Sequence, residues 1–132
     1  MPPEIKRLSF SKAEKLCSKR IIEAIYSRGK KIRRFPFILN YLEVGDDLPM
    51  DYPIQIVVAV PKRKVKKAAS RNRLKRQIKE AYRLNKSTLT EQVYDTNKKL
   101  ALFLIYIGKE TENYTFIEKQ LTAILEEIKL KI

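Results

Sequence analysis

Leu100 to Ile107 reads LALFLIYI, eight apolar residues without a break. Eight residues are too few to cross a bilayer, which takes about 20 in a helix. An unbroken run with strong β-propensity predicts a central strand buried on both faces. Such a strand needs a sheet around it and helices on the sheet.

The remaining segments supply both. PIQIVVAV, residues 53–60, is a second apolar strand, ended by Pro61. RFPFILNYL alternates Phe35, Phe37, Leu39 and Tyr41 at period two and reads as a third strand, with Pro36 placing its start at an edge or bend. SKAEKLCSKRIIEAIYSRG, from Ser11, reads as helical: Ser11 and Glu14 have capping-box spacing, Ser18 is a second N-cap that would break the segment in two, and Gly29 is a stop. Leu16, Cys17, Ile21, Ala24 and Ile25 share one face of it, which predicts Cys17 as an inert packing residue. EVGDDLPMDY is a polar loop, and a short helical extension is expected around Ser87 to Tyr94. After Asn113, Tyr114, Ile117, Leu121, Ile124, Leu125 and Ile128 form one helical stripe. The connection from Val58 to Leu100 is long enough for a crossover between parallel strands. The chain therefore reads as one domain, residues 1–132, of α+β class: an α/β sandwich.

Charge decides the kind of partner. The net charge of +14 is unevenly placed. Residues 1–34 carry +8, residues 35–61 carry −4, residues 62–83 carry +10, and residues 84–132 balance. Focused positive charge points to a polyanion: RNA, DNA or an acidic membrane surface. A lone cysteine leaves no internal disulfide, and with no histidine a zinc site or a Cys–His nucleophile is not expected. No leader or membrane span is visible, so a cytoplasmic protein is expected.

The densest charge lies in SRNRLKRQIKEAYR, Ser70 to Arg83. On a helical wheel Leu74, Ile78, Ala81 and Tyr82 form a core face. Asn72, Lys75, Arg76, Lys79 and Arg83 form an adjacent stripe, with Gln77 and Glu80 away from it. With Ser70 as N-cap, Arg71 and Arg73 fall in the first turn, where the helix dipole makes a cation cost about 0.3–1 kcal/mol. A bound phosphate would reverse that sign. The preceding PKRKVKK adds Lys62, Arg63, Lys64, Lys66 and Lys67. On the first helix, Ile22 and Tyr26 lie one turn apart and off the core face, a second apolar patch suited either to a wider core or to contact with a single strand. Across the sheet, Ile38 and Asn40 point opposite to Phe37, Leu39 and Tyr41.

SRNRLKRQIKEAYR resembles the signature of the protein subunit of bacterial ribonuclease P, and the other segments agree in order: an RLS entry at Arg7, a helix ending at Gly29, FILNYL, VAVPKRKV, the motif, LALFLIYI and a helix opening at Tyr114. The resemblance implies an αβββαβα fold with a mixed, mostly antiparallel sheet and a left-handed βαβ crossover carrying the basic helix. It also implies a role: binding a large catalytic RNA and the 5′ leader of precursor tRNA, and assisting removal of that leader. Arg71, Asn72, Arg73, Lys75, Arg76 and Lys79 fall on the family's RNA-binding helix. Ile22 and Tyr26 fall on its two cleft aromatics, where Ile22 departs by having no ring to stack; Ile38 and Asn40 would floor the same cleft. No catalytic or metal-binding residue is expected of the protein, because acid–base cleavage wants histidine or paired carboxylates, and Asp46 and Asp47 read as a solvated loop pair. The magnesium ions would belong to the RNA, and neither a membrane nor an obligatory protein partner is implied. The rival readings are a ribosomal or other structural RNA-binding protein, a DNA-binding regulator, and a membrane-surface helix.

Overall fold

A computed structural model describes residues 10–109 and 111–132; Arg7 lies outside them. A single helical turn, Lys12–Glu14, precedes α1 (Lys19–Arg28), β1 (Lys30–Arg34), β2 (Phe37–Glu43), β3 (Ile54–Ala59), α2 (Ala68–Asn85), α3 (Ser87–Asp95), β4 (Leu100–Tyr106) and α4 (Tyr114–Lys131). The four strands form one sheet in the order β1-β2-β4-β3. β4 is antiparallel to β2 and parallel to β3, so α2 and α3 make the crossover between parallel neighbours. The apolar run Leu100–Ile107 thus occupies an interior position of the sheet.

Alternation sorts the sheet into two faces. Ile32, Phe37, Leu39, Tyr41, Ile56, Val58, Leu102 and Leu104 face α2 and α4 and build the main core with Leu74, Ile78, Tyr82, Ile117, Leu121 and Ile124. The opposite face holds a smaller cluster under α1, with Ile21, Ile25 and Ala101 at its centre and Ile22, Leu42, Val57 and Phe103 half-buried around it.

Local signals account for several boundaries. The Ser18 hydroxyl accepts the Ile21 N–H, and Asn113 Oδ1 accepts the Phe116 N–H at 2.8 Å, so both helices start at side-chain caps. Ser11 and Glu14 form the reciprocal capping box. At Gly29 the chain turns directly from α1 into β1, and a Cβ there would collide with the carbonyl oxygens of Ile25 and Tyr41.

Lys30–Arg34, unassigned by periodicity, is the third strand before the basic helix that the αβββαβα order requires: Ile32 is its only buried residue, and it pairs with β2 through a turn at Phe35–Pro36. Two expectations are corrected. Cys17 is exposed rather than packed. The chain is extended there, with Lys15 bridged to Ile56 and the Leu16 N–H donating to the Ile56 carbonyl, so Leu16 turns inward and its neighbour outward. The basic helix opens at Ala68, not after a Ser70 cap. The preceding residue, Lys67, provides no side-chain cap; good helix formers and the anchored turn before them carry the start.

One feature went unanticipated. Glu14 and Lys86, 3% and 2% exposed, form a buried ion pair between the first turn and the α2–α3 junction. Phe10 packs beside it, its ring 5.7 Å from that of Tyr82. Among the described residues no helix is long and apolar enough to cross a membrane.

Candidate nucleic-acid interface

Two surfaces bring the site residues together, and they lie on different sides of the sheet. The first is the cationic side of α2. Burial of Leu74, Ile78, Ala81 and Tyr82 against the core fixes the helix roll. Asn72, Arg73 and Arg76 are then exposed, and Lys75 and Lys79 half-exposed. In the turn before the helix, the Lys64 and Val65 N–H groups both donate to the Pro61 carbonyl, and Val65 is buried. Lys62, Arg63, Lys66 and Lys67 project outward; Lys64 is partly covered.

Two cations of this surface are already engaged. Arg71 Nη1 donates to the Val65 and Lys66 carbonyls at 3.0 and 2.8 Å. Its guanidinium therefore ties the turn to the helix rather than standing free at a first-turn phosphate site, and Arg73 falls in the second turn. Arg83 grips Glu80 with two hydrogen bonds of 2.7 and 2.8 Å. That contact holds the Glu80 carboxyl below the usual carboxylate range and pushes the Arg83 guanidinium up. Arg76, Lys79, Glu80 and Arg83 line a hollow of about 230 Å³ with Lys15 and Phe10, two residues that sequence periodicity on α2 alone had no means of adding.

The second surface is the sheet face beneath α1. Tyr26 is 66% exposed, and its ring meets the half-buried Phe103 ring edge-on, with centroids 5.6 Å apart. Ile22 is half-buried against the same cluster. Strand register extends the floor: Asn40 lies opposite Phe103, and Ile38 opposite Ile105. Ile38 is half-buried and Asn40 is 5% exposed, a polar side chain among Ile38, Leu42 and Phe103. All four cleft residues read from sequence thus border one surface. Phe103 was missed because a doubly buried strand leaves no reason to expect an accessible ring; only the strand order shows that α1 covers part of that face.

No group of three or more potential metal ligands occurs among the described residues. Asp47 pairs with Arg28 at 2.6 Å, and this contact holds its carboxyl low.

A family model described as Ribonuclease P matches residues 10–129. The ribonuclease P protein component of Porphyromonas gingivalis is 27% identical over 119 residues, covering 90% of this chain and 85% of that one. The solved ribonuclease P protein of Staphylococcus aureus superposes with a TM-score of 0.69 at 19% identity, covering 89% of this chain and 97% of its own. That of Thermotoga maritima gives 0.66 at 24% identity, covering 86% and 96%. The two structures share the fold described above.

Proposed function

This chain belongs to the ribonuclease P protein family, and from that premise we propose that it divides its two surfaces between two RNAs: the α2 ridge and the Lys62–Lys67 turn for the catalytic RNA, the face under α1 for the 5′ leader of precursor tRNA. Membership makes it the protein component of the ribonucleoprotein endonuclease that matures tRNA 5′ ends. In this reading the RNA performs the cleavage with its own magnesium ions, in the cytoplasm, and the protein contributes charge and leader contacts.

The observation that carries the leader assignment is the exposed Tyr26 ring set against Phe103. An accessible aromatic pair on an otherwise half-covered sheet face suits an unpaired base, which stacks without regard to its identity. Ile22 adds apolar contact but no stack.

The test uses the holoenzyme with precursor and mature tRNA at one salt concentration. Tyr26→Ala is expected to weaken precursor binding by about 1–3 kcal/mol, the value of one base–aromatic stack, and to leave mature tRNA unchanged. Ile25→Ala, which empties a core site, is expected to lower stability by about 2–5 kcal/mol without leader specificity. Equal loss for both tRNAs with Tyr26→Ala would return that ring to a structural role.

A further inference from the structure

β1 is an edge strand carrying Lys30, Lys31, Arg33 and Arg34, all exposed, and none of them forms a salt bridge with a carboxylate among the described residues. Register separates the four. Lys30 and Arg34 lie opposite Tyr41 and Phe37 and share the α4 face with Ile32. Lys31 and Arg33 lie opposite Asn40 and Ile38, on the face under α1. Two rows therefore cross that face: Lys31–Asn40–Phe103–Val57 and Arg33–Ile38–Ile105–Ala59.

We propose that Lys31 and Arg33 are a phosphate rail for the 5′ leader, running beside the Tyr26–Phe103 stacking platform; this rests on the leader reading above and extends it to residues that reading does not contain. The spacing fits. Alternate residues of a strand stand about 7 Å apart, and two strand spacings put the Lys31 backbone about 10 Å from Phe103. A nucleotide stacked on the platform spans part of that gap from base to phosphate, and a long cationic side chain spans the rest. A stacking surface flanked by a cationic track is how single strands are held without sequence preference.

Charged residues also keep an open sheet edge from pairing with another chain. That protection is indifferent to the face on which the charges lie, whereas a leader rail is not. The experiment uses this difference. Holoenzymes carrying Lys31→Ala with Arg33→Ala, or Lys30→Ala with Arg34→Ala, lose the same charge from the same strand. Binding of precursor and mature tRNA is measured across a salt series. The first pair is expected to weaken precursor binding roughly 2- to 30-fold, at 0.2–1 kcal/mol for each exposed contact. The slope of log affinity against log salt should become shallower by about 1.4, or 0.7 per phosphate of a single strand. Mature tRNA binding should hold, and the second pair should change neither. Equal effects of the two pairs, or equal loss for both tRNAs, would overturn the rail. If Tyr26→Ala is leader-specific and the Lys31/Arg33 pair is not, the rail falls while the cleft stands; if neither is, both fall.

Discussion

Two buried groups show how single residues set the stability of this domain. The Tyr82 hydroxyl is buried with no hydrogen-bond partner among the described residues, and burial together with the nearby Glu14 pushes its pKa far up. An unsatisfied buried hydroxyl costs about 1–3 kcal/mol. Tyr82→Phe is therefore expected to be neutral or stabilising by about 1 kcal/mol in a denaturant titration; a clear loss would mean that the oxygen has a partner. The Glu14–Lys86 pair works the other way. Glu14→Ala would leave the Lys86 ammonium buried without its carboxylate and is expected to cost about 3–5 kcal/mol. Replacing both with apolar residues of similar volume should recover most of that loss, which a double-mutant cycle reads directly. A small loss for the single substitution would show that water reaches the pair.

At the scale of the element, α2 joins an apolar face that holds it to an exposed cationic face that is proposed for the catalytic RNA. Arg73→Ala with Arg76→Ala is expected to lower affinity for the catalytic RNA and flatten its salt dependence by about one unit per lost phosphate contact, with the fold intact. Glu80→Gln should move both quantities the opposite way, because it removes a negative charge from the ridge beside Arg83; no change in the salt slope would place the hollow outside the RNA contact. Helix faces and caps were legible because they are local: Ser18, Gly29 and Asn113 act on groups within four residues of themselves. The start of α2 was not, because it depends on Val65 being buried and on Arg71 reaching back to the turn. Neither was β1, whose KKIRR holds one apolar residue; pairing with β2 and contact with α4 supply what the segment itself lacks. Cys17 was misread because helical periodicity was carried through the break at Ser18.

For the whole molecule, focused charge marked a polyanionic partner before any fold was known, and the resemblance of the Ser70–Arg83 motif narrowed it to RNA. What charge could not show is that the two basic segments sit around a sheet whose faces are covered differently, one by α2 and α4 and the other in part by α1. That division follows from strand order: β4 lies between β2 and β3, although it comes next to last among the elements. The same order governs the protein's synthesis. While residues up to 99 emerge from the ribosome, β3 has no strand to pair with, β2 has only the charged β1, and α2 lacks its partner helix α4. At about 5–20 residues per second, the chain spends seconds with two apolar strands unmatched. A chain ending at residue 99 is accordingly expected to give no cooperative thermal transition, and one that did would locate a folding unit within the first three strands. Residues 100–106 therefore close the sheet, and the nascent cationic ridge reaches its final shape only after Tyr106 has joined the others.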